Sequence, residues 1–250
     1  MKNIWITGAS TGIGKALALK FAEEGWQVAA SARREALLKD LNNENSKIHA
    51  FPLDVTDSEK CKLVFDNILS KLGNIEICVF CTGIHDPKSE KNLNLDKIRK
   101  IMEVNFFGTI NSINSVYEYY KKKQTGHISI VSSVAGYRGL PAGGAYCASK
   151  AALTNYAESL YFDLKRFNVR VSVVHPGFIK TPMTDQNDFP MPMIKSTEFA
   201  AKEMFKGLTK SNAFEIHFPK SFTFIMKILR IIPIWLYLRL VKKGMKLIDH

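Results

Sequence analysis

Four tyrosines in this 250-residue chain stand four positions before a lysine: Tyr117/Lys121, Tyr119/Lys123, Tyr146/Lys150 and Tyr161/Lys165. On a helix that spacing puts the phenol and the ammonium on one face. The ammonium would stabilise the phenolate and draw its pKa from about 10 toward neutrality, making the tyrosine a general acid or base. Four copies make the pattern weak by itself. A carbonyl accepting a hydride also needs a second hydrogen-bond donor, which a serine at the end of the preceding strand could supply. Thirteen residues before the four tyrosines stand Val104, Phe106, Ser133 and Ala148. Only Tyr146 has its serine. It also follows the flexible Gly143-Gly144 pair, where a helix can start beside a sheet edge.

A second group of residues is suited to phosphate. The apolar run Ile4–Thr7 leads into Gly8-Ala9-Ser10-Thr11-Gly12-Ile13-Gly14. Glycines at 8, 12 and 14 let the backbone turn tightly and approach a pyrophosphate. The helix that follows offers free N–H groups and its positive end. The spacing departs from G-x-G-x-x-G and lacks the Gly-Lys-Ser/Thr ending of a nucleoside-triphosphate loop. The second strand ends in Ser31-Ala32-Arg33-Arg34, without the carboxylate an NAD reader presents to the ribose. A guanidinium matches a phosphate with two parallel charge-assisted bonds. Arg33, together with Arg34 and Ser31, is therefore the expected 2′-phosphate site of NADP(H); the alternative is two solvated arginines at a helix start. Asp54, followed by Val55 after the third strand, could accept from the adenine amine, or could cap the helix near Asp57.

These groups need a frame that brings distant residues together. Short apolar runs at Ile4–Thr7, Val28–Ala32, Ile48–Phe51, Ile75–Phe80, Ile128–Ser132, Val169–His175 and Phe214–Phe218 read as buried strands. Helical patterns at about 13–25, 34–44, 57–72, 94–123, 145–167 and 196–209 lie between them, the last with a start signal at Ser196. Such alternation predicts an α/β domain whose parallel sheet is covered on both faces. Apolar residues make up 46% of the chain, enough for a large core. Four cysteines exclude a disulfide scaffold. No signal-peptide pattern opens the chain, so the domain is expected in the cytosol.

Thr7–Gly14, Asn105, Ser133, Tyr146-x-x-x-Lys150 and Pro176-Gly177 together resemble the short-chain dehydrogenase/reductases, over residues 1 to about 218. The resemblance implies a doubly wound, Rossmann-like sheet of seven parallel strands with helices on both faces and the site at the carboxyl ends of the strands. It implies that Tyr146 is the general acid/base, that Ser133 polarises the substrate oxygen, and that Lys150 holds the nicotinamide ribose and tunes Tyr146. Asn105 would anchor a water in a proton relay. Pro176 and Gly177 would lie along the nicotinamide, with the Ile179 backbone and the Thr181 hydroxyl on its carboxamide. It also implies a homodimer or homotetramer, with faces from the helices at 94–123 and 145–167. One departure is visible: the family often carries Asn-Asn-Ala-Gly after the fourth strand, and this chain has Phe80-Cys81-Thr82-Gly83. The glycine that lets the cofactor pass, Gly83, is kept; the bracing asparagine is not.

Other chemistry is weaker. Cys78-x-x-Cys81 lies on a strand with no second ligand pair, so both are expected as buried thiols rather than a metal or redox pair. Cys147, beside Tyr146, is expected to be the most reactive thiol. His85 and His175 lack partners at metal spacing and read as packing or surface residues. No metal site is expected.

The net charge of +12 is uneven: residues 219–250 carry Lys220, Lys227, Arg230, Arg239, Lys242, Lys243 and Lys246 against Asp249 alone. This basic balance lacks any nucleic-acid-binding module. Phe222–Val241 approaches the ~20 residues that span a bilayer, but Lys227 and Arg230 lie inside it and Pro233 breaks it. Arg239, Lys242, Lys243 and Lys246 fall on one helical face, with apolar residues, Trp235 and Tyr237 covering the rest, which suits a helix lying in a membrane interface. A helix pair packed on the domain or on a second subunit is the alternative. The Pro- and Met-rich stretch 182–195 would set substrate choice, and with the tail it points to a lipid-like ketone. The leading function is an NADP(H)-dependent ketone/alcohol oxidoreductase. A non-catalytic NADP-binding membrane protein and a redox-neutral epimerase or dehydratase stay open.

Overall fold

The computed structural model describes residues 2–87 and 93–246, with side chains through Lys242. Seven strands form one sheet: β1 (Asn3–Thr7), β2 (Gln27–Ala32), β3 (Ile48–Pro52), β4 (Ile77–Phe80), β5 (Gly126–Val131), β6 (Val169–Pro176) and β7 (Glu215–Phe218). Their order is β3-β2-β1-β4-β5-β6-β7, with every neighbouring pair parallel. The order reverses direction between β1 and β4, which opens a crevice at their carboxyl ends.

Both faces of the sheet are covered, and this is why the strands are apolar throughout rather than alternating. One face packs α1 (Gly12–Glu23), α2 (Glu35–Glu44) and α7 (Thr197–Lys210) over Ile4, Ile6, Val28 and Val79. The other packs α3 (Ser58–Leu72), α5 (Gly108–Lys123) and α6 (Gly144–Lys165) over Trp5, Cys78, Ile128 and Val171. Asp57 caps α3 by accepting from the Lys60 N–H, and Ser196 caps α7 by accepting from the Phe199 N–H.

The pattern at 94–123 is not one regular helix. α4 (Leu95–Met102) passes through a π-helical turn, Glu103–Phe107, into α5. Periodicity misses a single inserted residue because the apolar rows on either side each keep their own spacing.

The last residues form α8 (Lys220–Ile231) and α9 (Ile234–Lys246), separated at Pro233, which can open a helix but not continue one. Among the described residues no helix is long and apolar enough to cross a membrane. Phe222, Met226 and Tyr237 are buried against the domain. Phe224, Ile231, Ile234, Trp235 and Leu238 are each more than half exposed. The extension thus packs one face on its own domain and turns a second apolar face outward. Arg239 and Lys242 are exposed beside that face, while the Lys243 and Lys246 side chains and Asp249 lie outside the described residues.

The side of the core beneath α1 depends on Phe21, fully buried and edge-on to Trp26 and Phe205 at 5.1 and 4.9 Å. Phe21→Ala is expected to lower unfolding stability by about 3–5 kcal/mol in urea titrations. A loss under about 1 kcal/mol would mean that α1 and α7 collapse into the hole.

Candidate active site

The residues expected to bind cofactor or do chemistry, apart from Ser31 and Asn105, line one cavity at the carboxyl ends of the strands. At its phosphate end the loop after β1 is closed by backbone contacts. A Cβ on Gly14 would stand 2.2 Å from the Gly8 carbonyl oxygen, and one on Gly8 would stand 2.9 Å from the Cys81 and Thr82 backbone. Gly8 also holds φ +71°, a region that favours glycine. Only hydrogen at these positions lets α1 start against the loop and turn its free N–H groups into the cavity, the arrangement a pyrophosphate requires. Arg34 donates from one guanidinium nitrogen to Ser10 Oγ and Thr11 Oγ1, both at 2.9 Å, so its charge is fixed beside the loop. Arg33 is exposed and lines the same wall.

Ser31 is not part of this wall. It is buried on the opposite side of β2, and its hydroxyl accepts from Trp5 Nε1 at 2.9 Å. Adjacent strand residues face opposite sides, so Ala32 lines the cavity in its place. Asp54 lines the cavity with one carboxylate oxygen committed to the Thr56 N–H and hydroxyl, at 3.1 and 2.9 Å. It makes a turn, and the helix cap is Asp57. Thr7 Oγ1 accepts from the Cys81 N–H at 3.2 Å, a bond that ties β1 to β4 where the family asparagine is missing.

At the other end lie Ser133, Tyr146 and Lys150. β5 ends at Val131, and Ser133 opens the 3₁₀ turn Val134–Gly136, its hydroxyl accepting from the Ala135 N–H at 3.1 Å. The same hydroxyl hydrogen-bonds the Tyr146 phenol. Lys150 donates to the Val131 carbonyl at 2.9 Å, and its ammonium is 5.7 Å from the centre of the Tyr146 ring. The expected lowering of the tyrosine pKa is therefore reversed in the protein alone. Burial pushes the Tyr146 phenol up to about 12, and the Ser133 bond opposes this only in part. Burial also pushes the Lys150 ammonium down to about 8. Spacing on a helix gave the shared face but not the carbonyl that takes the lysine.

Asn105 sits on the π turn, fully buried, and does not reach the cavity. Its side chain accepts from the Ile84 N–H at 2.7 Å and donates to the Ile84 carbonyl and the Ser149 hydroxyl, each at 3.0 Å. Ser149 in turn donates to the Tyr146 carbonyl at 2.8 Å. Asn105 thus braces the loop after β4 against the helix that bears the tyrosine. Ile84 and Ser149 carry no motif and went unread, while His85 was expected only as a packing or surface residue. The His85 ring stacks on the Tyr146 ring at 4.6 Å; its place two residues after Gly83 was the available signal.

Two of the thiols, Cys147 and Cys81, depart from expectation, while Cys78 is buried as expected. Cys147 is buried, with its sulfur facing the Leu140 N–H at 3.4 Å. Cys81 is half-buried and lines the cavity, and burial pushes its thiol up to about 11. Cys78 is fully buried, 3.2 Å from the Tyr120 hydroxyl. Among the described residues no three His, Cys, Asp or Glu side chains form a metal-holding group.

A parallel sheet with a glycine-lined phosphate cradle and a Ser–Tyr–Lys group at one edge defines a dinucleotide-dependent oxidoreductase. Residues 2–190 match the short chain dehydrogenase family model, and the chain belongs to that family, whose cofactor is a nicotinamide nucleotide. An oxidoreductase of Myxococcus xanthus is 33% identical over 91% of both chains. A 3-oxoacyl-(acyl-carrier-protein) reductase of Thermotoga maritima is 35% identical over 72% of this chain and 75% of its own. A 3-ketodihydrosphingosine reductase of Bacteroides thetaiotaomicron is 31% identical over 74% and 66%. A solved structure of a Tyr-to-Phe variant of ElxO with NADPH bound has TM-score 0.77 and 25% identity over 86% of this chain and 95% of its own.

The depressed Lys150 pKa has a stability consequence. Between about pH 8 and the ordinary 10.5 the unfolded chain binds a proton that the folded chain does not, so this group's contribution to stability rises with pH across that window. Below pH 8 the buried ammonium exacts its full cost. Lys150→Met is expected to raise Tm by a few degrees at pH 7, with the gain gone near pH 10.5, in melts of the cofactor-free protein. A pH-independent difference would show that the lysine is not the titrating group.

Proposed function

We propose that this chain is an NADP(H)-dependent carbonyl reductase acting on a lipid-like ketone at a membrane surface. The observation that carries the reading is the single cavity shared by Ser133, Tyr146 and Lys150, the glycine loop, and Arg33 with Arg34. The backbone of Gly8–Gly14 and the start of α1 would hold the pyrophosphate, and the two arginines the 2′-phosphate. Asp54 and Val55 would face the adenine, Lys150 and Gly83 the nicotinamide ribose, and Pro176, Gly177, Ile179 and Thr181 the nicotinamide. When bound, the reduced nicotinamide supplies the hydride. Ser133 donates to the ketone oxygen and stabilises the charge that grows there. Tyr146 gives up its phenolic proton to that oxygen. A phenol held near pKa 12 is fully protonated at neutral pH, which suits the reducing direction. Asn105 and Ser149 hold the tyrosine's helix against the Ile84 loop.

Three observations support the substrate and its source. The cavity rim carries Pro182 and Met183, and Met193 and Ile194 nearby are 48% and 38% exposed. The outward faces of α8 and α9 combine exposed apolar side chains with Arg239 and Lys242, a composition that fits an anionic lipid surface. The 3-oxoacyl and 3-ketodihydrosphingosine reductases among the relatives are named for lipid ketones. Phe107 on the π turn and Phe162 on α6, 49% and 72% exposed, fit self-association as a homodimer or homotetramer through that side.

NADPH oxidation with 3-oxo esters of increasing chain length tests the reading; kcat/KM should rise with length. Activity confined to short polar ketones would remove the lipid substrate. Tyr146→Phe should lower kcat by about 10²–10⁴ with NADPH affinity kept. Full-length protein should float with vesicles containing phosphatidylserine, and Trp235→Asp with Leu238→Asp should abolish this; equal flotation would sink membrane docking.

A further inference from the structure

Outside the cleft, a cluster of polar side chains gathers where β6, β7, the turn after Ser133 and α8 meet. Its centre is Glu215 on β7. Lys227 of α8 donates to its carboxylate at 2.5 Å, His175 Nδ1 faces it at 3.0 Å, and the Tyr137 hydroxyl also donates to it. Burial alone would raise the Glu215 pKa, but these three partners hold it well below the usual range, so it stays ionised. Burial keeps His175 neutral. A carboxylate only accepts, so the proton of the neutral ring belongs on Nδ1, which faces Glu215 without forming an aligned hydrogen bond, and Nε2 lies 3.0 Å from Thr154 Oγ1. Thr154 is 2.9 Å from Ser132 Oγ, and Ser132 donates to the Lys150 carbonyl at 2.8 Å. An unbroken chain of contacts therefore runs from Lys227, in the C-terminal extension, to the backbone of Lys150.

The same region clamps the segment between Ser133 and the helix of Tyr146. Phe222 and Met226 of α8 pack on Val134 and Tyr137. Arg138 donates to the carbonyls of Leu229, Arg230 and Ile232 at 2.7, 3.1 and 2.9 Å, closing the end of α8. Its guanidinium lies 4.4 Å from the centre of the Tyr237 ring, and the Tyr237 hydroxyl donates to the Gly139 carbonyl. A Cβ on Gly136 would stand 2.8 Å from both the Lys150 carbonyl and Ser132 Oγ, so the turn sits directly on α6.

We propose that Glu215, completed by Lys227 of the C-terminal extension, is a positioning residue for the reaction. It fixes the Val134–Gly139 segment and the Lys150 backbone so that the Ser133 and Tyr146 hydroxyls meet. The role in turnover rests on the reductase reading; the clamp itself does not. The extension is then part of the catalytic apparatus as well as a surface.

The test uses Glu215→Gln, Lys227→Met and Lys227→Arg in the full chain. The first readout needs no substrate: N-ethylmaleimide labelling of Cys147, followed by mass spectrometry, with Cys78 reporting global opening. Cys147 lies against Leu140 and Gly143, just past the clamped segment, and is protected while that segment stays in place. Glu215→Gln and Lys227→Met should speed Cys147 labelling about tenfold with Cys78 unchanged, and Lys227→Arg should restore protection. With NADPH and ethyl 3-oxodecanoate, kcat should fall about tenfold in the first two variants, with KM for NADPH within about twofold. Unchanged Cys147 labelling, parallel exposure of Cys78, or a loosened Cys147 with normal kcat would each overturn the proposal. A wild-type chain that binds NADPH but reduces no 3-oxo ester would count against the reductase reading, while labelling still decides the clamp.

Discussion

Because all seven strands run parallel, every connection must cross back through a helix, and the carboxyl ends of the strands fall along a single edge. The β1–β4 reversal parts the connections there and leaves a crevice. Everything chemical in this chain is an answer to that constraint. The loop after β1 closes on itself through hydrogen-sized gaps at Gly8 and Gly14, so α1 can point its free amides into the crevice. Ser133 follows β5, Gly177 follows β6, and the Ile84 loop follows β4. Residues far apart in sequence meet because each lies just past a strand end.

That geometry also explains what could be read in advance. Strand runs, the glycine loop and the helix-spaced Tyr146/Lys150 pair are local patterns, and each lies within one element or one turn. Ser133 was legible because the interval to Tyr146 spans one strand end and one helix start. What escaped depends on neighbours that sequence does not place. Ser31 looked like a phosphate ligand because it ends β2, but the pleat turns it toward Trp5. The Tyr146 pKa could not follow from spacing, since the carbonyl of Val131 competes for the lysine. Asn105 was expected as a catalytic residue, but the π turn that carries it, which leaves no periodic trace, buries it outside the cavity. Glu215, His175 and Tyr137 come from three elements and have no motif between them.

The C-terminal extension shows how one sequence can satisfy two surfaces. Its helices are apolar on more than one side, which in a free helix would invite aggregation. Burying Phe222, Met226 and Tyr237 against the domain uses one stripe, and Arg138 and Glu215 fix the orientation in which the rest faces out. The break at Pro233 divides the extension into two short helices.

The π turn at Glu103–Phe107 sets the phase of a long stretch of chain. An α-helix advances about 100° per residue, so one extra residue within a turn rotates everything after it by about that much. The stripe of α5 that reaches the sheet, including Ile113, Val116 and Tyr120, is aligned only because of that added step. Removing a single residue there would move each later residue into its predecessor's place, turning Asn114 and Lys121 toward the core where Ile113 and Tyr120 now pack. One position in the backbone count thus keeps the brace on Ile84 and the packing some fifteen residues downstream in register with each other.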